Sequence, residues 1–179
     1  MRKIYLVHGY TASSRSHWFP WLQKRIGQRL ICAQMPDPSH PKLQNWLDHL
    51  DNLIDDHQKM ILIGHSLGCV TILRYLQNHE LENVDLILVS AFADKVANLP
   101  ELNEFVEKDL DFDDLKRKIN KAYIISARND QEVDYRHSDR LAQKLSCPFI
   151  LMPDGGHFMA SDGIKEFPLV LNLVRELSD

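Results

Sequence analysis

Met60-Ile61-Leu62-Ile63-Gly64-His65-Ser66-Leu67-Gly68, running on into Cys69-Val70-Thr71-Ile72-Leu73-Arg74-Tyr75-Leu76, decides how this chain is read. Four apolar residues in a row predict a buried strand, and the apolar spacing after Gly68 predicts a helix. Between them stands G-x-S-x-G, from Gly64 to Gly68. A strand, a sharp turn at a serine and then a helix make a nucleophile elbow. The turn lifts the serine Oγ clear of the sheet edge. Bulky side chains two residues before or after it would crowd the strand and the helix. Glycine at both places removes the clash and tolerates the strained backbone. The helix N-terminus also leaves free N–H groups beside the serine, where they can hold a developing oxyanion.

Outward from this stretch, apolar runs alternate with helix-like segments. Strands are predicted at Ile4–Val7, Leu30–Ala33, Met60–Ile63, Val84–Val89, Ala122–Ile125 and Phe149–Leu151, and helices near 18–28, 42–57, 67–79, 113–119, 135–145 and 164–177. That order predicts an α/β fold: a three-layer α/β/α sandwich around a mostly parallel sheet of about six strands. Residues 1–179 are expected to form a single domain. Residues 91–114 break the rhythm with a run of carboxylates, at Glu101, Glu104, Glu107, Asp109, Asp111, Asp113 and Asp114, and few bases. They read as a solvated excursion or as a small cap near the site.

Composition removes several function classes. Apolar residues are 44% and charged residues 26%, as in ordinary globular domains. With a net charge of −4 and no basic patch, nucleic acid is not an expected partner. The basic start Met1-Arg2-Lys3 leads into an apolar run too short for a signal peptide, and nothing approaches a membrane span. Three widely spaced cysteines, Cys32, Cys69 and Cys147, have no metal spacing and read as small buried hydrophobes. A cytoplasmic location follows as the simplest expectation. No G-x-G-x-x-G follows the first strand and no G-x-x-x-x-G-K occurs, so nucleotide binding is not supported.

A serine hydroxyl needs a base, and the base needs an orienting acid. On an elbow fold they follow in the order Ser, Asp or Glu, His, at the carboxyl ends of strands. His157 fits the base: it follows the last strand in Asp154-Gly155-Gly156-His157-Phe158, a loop able to bend back over the sheet edge. His79 and His137 fall at or within helices instead. Asp130, in the loop after Ala122–Ile125, is the expected acid. Asp94, after the preceding strand, Glu132, and Asp134, placed to cap the next helix, are its competitors. The oxyanion donors are expected to be the backbone N–H groups of Tyr10, after the Gly9 turn, and of Leu67. His8, beside that turn, reads as structural. No metal or cofactor is called for.

These residues carry a resemblance to the small serine hydrolases of the retinoblastoma-binding protein nine type. It runs over nearly the whole chain, through His8-Gly9 with His17-Trp18, Met35-Pro36-Asp37-Pro38, Trp46, Ile63-Gly64-His65-Ser66, Val89-Ser90-Ala91 and Gly156-His157-Phe158. The resemblance implies a compact α/β-hydrolase fold with little or no lid. It puts Ser66, Asp130 and His157 at the triad positions, and Trp18 and Asp37 in the surroundings of the site. For Trp18, packing is the competing reading; for Asp37, capping of the next turn is. The Leu-x-Cys-x-Glu binding motif known in the mammalian member is absent: residues 50–56 hold no cysteine, and Leu30-Ile31-Cys32-Ala33-Gln34 ends in glutamine. No partner of that kind is expected.

The residues together predict a serine hydrolase acting on a small-molecule carboxylic ester with a small or medium acyl group, as a monomer or small homo-oligomer. A thioesterase or acyltransferase would use the same triad. A binding scaffold on the same fold is the alternative from another class.

Overall fold

Side chains along each strand alternate between two separate apolar cores, and this alternation sets the layers. In a computed structural model of the chain, which describes residues 2–54 and 59–178, the strands are β1 (Ile4–Val7), β2 (Leu30–Ala33), β3 (Ile61–His65), β4 (Val84–Val89), β5 (Ile119–Ala127) and β6 (Phe149–Met152). They form one sheet in the order β2-β1-β3-β4-β5-β6, with every neighbouring pair parallel. Tyr5, Val7, Leu62, Leu86, Leu88 and Ile124 enter one core, and Ile4, Leu6, Ile61, Ile63, Ile87 and Ile125 the other. Both faces are covered, which is why these strands read as continuous apolar runs rather than alternating ones. Truncating one such side chain to alanine costs about 2–5 kcal/mol.

The helices are α1 (Phe19–Ile26), α2 (Leu43–Leu53), α3 (Leu67–Gln77), α4 (Phe112–Lys118), α5 (Tyr135–Leu145) and α6 (Pro168–Ser178). Helices α2, α3, α4 and α5 supply the first core, and α1 and α6 the second. The three-layer parallel architecture is the one expected from the sequence. Because β1 lies between β2 and β3, the chain reverses its direction of travel across the sheet there. A crevice opens at the carboxyl ends of strands at such a switch point. Among the described residues no helix is long and apolar enough to cross a membrane.

Several boundaries differ from expectation for physical reasons. Strand β3 runs on through Gly64 and His65, which pair with Leu88 and Val89. Strand β5 begins at Ile119 because Ile119 and Lys121 pair with Val84 and Asp85, although Asn120 and Lys121 break the apolar run. Helix α6 starts only at Pro168: a proline suits the first helical position, and the residue before it is disfavoured there. The helix expected over 42–57 ends at Leu53, and its final part, 55–57, lies outside the described residues. Cys69 is buried, but Cys32 and Cys147 are only half-buried, because they lie on or next to the edge strands.

Residues 91–114 resolve into an inner and an outer surface. Leu102, Phe105 and Leu110 turn into the first core, while Glu101, Glu104, Glu107, Asp109, Asp111 and Asp113 face solvent. Arg74 of α3, buried in spite of its charge, straps the segment down. Its Nε donates to the carbonyl of Phe105 at 2.9 Å, and its guanidinium also reaches the carbonyls of Lys108 and Asp109.

Candidate active site

Strand β3 and helix α3 meet at Ser66, whose backbone has φ 54° and ψ −119°. A non-glycine residue there is strained, and it holds only because neighbours over-determine it. The Ser66 N–H donates to the carbonyl of Val89 at 2.9 Å, and its carbonyl accepts from the N–H of Cys69 at 2.9 Å. The glycines on either side allow a close approach that no side chain would fit. A Cβ on Gly64 would lie 2.8 Å from Cys69 Cα, and one on Gly68 would lie 2.1 Å from the carbonyl oxygen of Val7. The second contact seats the start of α3 directly on β1.

The loop after β1 lies against this elbow. Gly9 is close enough that an added Cβ would sit 3.0 Å from Ser66 Cβ. Its neighbour His8 is buried and fully committed: the Met35 N–H donates to Nε2 at 3.0 Å, and Nδ1–H donates to the Gly9 carbonyl at 2.8 Å. The structural reading of His8 therefore holds. The N–H of Thr11 donates to Pro38 at 2.8 Å, which joins this loop to the Met35–Pro38 turn. The backbone N–H groups of Tyr10 and Leu67 have no acceptor among the described residues.

His157 and Asp130 are brought together at the same sheet edge. The ring Nδ1–H donates to Asp130 Oδ2 at 2.9 Å, with Oδ1 at 3.1 Å. A neutral ring held in this way offers Nε2 as the acceptor. The carboxylate is held from three further sides. Glu132 N–H and Val133 N–H donate to Oδ1 at 2.9 and 3.0 Å, and Ser90 Oγ donates to Oδ2 at 2.8 Å. Asp130 is 8% exposed, His157 6% and Ser66 5%, so all three are nearly withdrawn from solvent. Among the described residues, Ser66 Oγ makes no hydrogen bond to His157. Contacts of this type commonly close only when substrate is bound.

Asp94, Asp134, His137 and His79 are engaged elsewhere, whereas Glu132 meets Asp130 through its backbone N–H and lines the cavity beside His157. Asp94 pairs with His137 and with Arg140, 2.7 Å away, on α5. Asp134 caps α5, accepting from Arg136 N–H at 2.9 Å. His79 stacks on Tyr75 and pairs with Asp51 at 2.9 Å. Trp18 is fully buried, its ring packed against those of Phe19, His65 and Phe167. The reason is its place at the start of α1, whose apolar side packs into the second core. Asp37 is largely exposed in the turn after β2, with φ 39° and His40 as its neighbour at 3.4 Å.

The structure adds supports that motif reading missed. Ser90 sits at the end of β4 with φ 50°, fully buried against Asp130. Its only sequence signal is position, a serine ending a strand at the functional edge. The His157 loop is fastened by Asp162, whose Oδ2 accepts from the N–H groups of His157 and Met159, both at 3.0 Å. Asn129 Oδ1 accepts from Gly156 N–H at 2.9 Å, and His17 Nδ1 accepts from Ala160 N–H at 3.1 Å. Burial, reinforced by the nearby His157, pushes His17 down to about 4. A polar cavity of about 340 Å³ opens beside His157, lined by Asn129, Glu132, Asp154 and Met159 among others. Among the described residues no three His, Cys, Asp or Glu side chains converge as a metal-binding group.

Residues 4–176 match the family described as serine hydrolase. The chain is 35% identical to the YdeN protein of Bacillus subtilis, over 97% of this chain and 94% of that one. The crystal structure of the B. subtilis ydeN gene product superposes with a TM-score of 0.92 at 33% identity, covering 99% and 98% of the two chains. The serine hydrolase RBBP9 of Rattus norvegicus is 23% identical, over 89% of this chain and 86% of its own.

Proposed function

The chain belongs to the serine hydrolase family, and from that premise we propose that it hydrolyses carboxylic esters of small or medium acyl groups with Ser66 as nucleophile, His157 as base and Asp130 as orienting acid. One observation carries the reading. Three separate strand ends deliver a strained serine, a histidine whose Nδ1 is engaged by a carboxylate, and that carboxylate, saturated with donors, to one edge of the sheet.

Substrate binding brings the acyl carbonyl over Ser66. His157 Nε2 takes the hydroxyl proton as Oγ bonds to the carbonyl carbon, and the carbonyl π pair moves to oxygen. The unpaired N–H groups of Tyr10 and Leu67 meet that oxyanion. Each donor of this kind is worth on the order of 3 kcal/mol in the transition state. His157 then passes its proton to the departing alkoxide, and the acyl-enzyme forms. Water, deprotonated in turn by His157, cleaves the acyl-enzyme to the free acid and restores Ser66. Asp130 keeps the ring in the required tautomer and offsets the imidazolium charge. The open cavity beside His157 supports a role as the path for alcohol and water.

The test is turnover of a panel of p-nitrophenyl esters and acyl thioesters by wild type and Ser66→Ala. Hydrolysis of short esters that disappears in Ser66→Ala, with circular dichroism unchanged, supports the reading. Turnover retained by Ser66→Ala overturns it. Thioesters consumed well ahead of esters would move the assignment to a thioesterase.

A further inference from the structure

The residue just before Ser66 is a histidine whose ring is buried, 1% exposed, in the floor beneath the site. It packs against the rings of His17, Phe19 and His157, with centroids 5.3, 5.9 and 5.1 Å away. Its Nε2–H donates to the backbone carbonyl of His157 at 2.7 Å. Its other nitrogen, Nδ1, is buried with no partner. A buried polar atom left unpaired is destabilising. A phenylalanine would pack in the same aromatic nest without that cost. A histidine at this place is explained by the one bond it does make.

That bond has a particular position in the site. The three anchors on His157 differ in origin. Asp162 holds its N–H from within the same loop, and Asp130 holds its ring from the loop after β5. His65 holds its carbonyl from β3, the strand that ends at Ser66. It is thus the direct tie between the backbone of the base and the strand that presents the nucleophile. Ser66 and His157 follow different strands, so their separation depends on where the loop is held.

We propose that His65 is a positioning residue: by gripping the main chain of His157 it sets the spacing between nucleophile and base. The proposal rests on the reading of Ser66 and His157 given above. The test compares His65→Phe, which lacks the donor, with His65→Gln, which keeps an N–H donor on a chain of similar reach. Rates of acylation by a fluorophosphonate, kcat and KM for a short ester, and Tm are measured for each. The expected result for His65→Phe is a loss of about 10–100-fold in acylation rate and kcat, the scale of a misplacement near 1 Å. KM stays within about twofold and Tm is not lowered. His65→Gln recovers a substantial part of the rate. If the phenylalanine variant does not fold, His65→Leu, smaller and equally without a donor, makes the same comparison. A folded donorless variant with kcat near wild type overturns the proposal, as does an equal loss in the phenylalanine and glutamine variants. Absence of any acylation in the wild type overturns the triad reading itself, and the proposal falls with it.

Discussion

The two halves of the site are built by opposite means. The elbow at Ser66 is fixed by backbone: two parallel strands, the first turn of α3, and glycines packed to 2.8 and 2.1 Å from neighbouring main chain if given a Cβ. The loop of His157 has little regular structure beyond the short turn at Ala160–Asp162, and side chains hold it in place. Those side chains come from far along the sequence: His17, His65 and Asn129 reach it from 143, 92 and 27 residues away. Ser66 is therefore placed by sterics, which are insensitive to solution conditions. His157, the proposed base, is placed by hydrogen bonds, several of them to titratable groups.

The sharpest break on the base side is Asp130→Asn. Loss of the carboxylate favours the wrong tautomer, and kcat is expected to fall by about 10³–10⁴. Asp94→Asn, at the acid already paired to Arg140 and His137, is expected to leave kcat within about twofold. Steady-state kinetics on both variants decides between the two acids. On the elbow side, Gly68→Ala forces a methyl into the Val7 carbonyl. Overpacking of this kind is expected to cost about 2–3 kcal/mol, read by urea denaturation, together with loss of activity as α3 is pushed off β1.

Smaller effects sharpen the contrast. Ser90→Ala removes one of the donors to Asp130 and is expected to lower kcat about tenfold, the worth of a charge-assisted bond near 1.5 kcal/mol. Acid should loosen the base side first. Burial holds His17 at about 4 against its ordinary 6.5, and lowers His65 and His8 as well. Each stays neutral in the fold while the unfolded chain takes up a proton, so stability falls as pH drops below 6.5 and, for His17, levels off near 4. Protonated His17 also cannot accept the Ala160 N–H. Tm should decline from pH 7 to pH 4.5, and His17→Phe should decline less steeply.

The same contrast explains what could be read from the chain. The elbow and the parallel sheet were legible because their constraints are local: apolar runs, glycine spacing, a helix following a strand. The meeting of Asp130 and His157 was legible through their order and their places after strands. Their supports were not. Nothing near His65, His17 or Asn129 in sequence shows that all three converge on one loop, because only the fold brings them there. Trp18 misleads for the same reason. It stands next to a functional loop in sequence, yet its ring points into the second core. The carboxylates of 91–114 hid a segment whose apolar residues, Leu102, Phe105 and Leu110, pack on the fold.

The most direct measurement is labelling of the purified protein with a fluorophosphonate, followed by peptide mass spectrometry, with Ser66→Ala alongside. A single phosphonate adduct on Ser66, formed rapidly near neutral pH and absent in the variant, is the predicted result. A folded wild-type protein that takes no adduct, or takes it at another residue, contradicts the account.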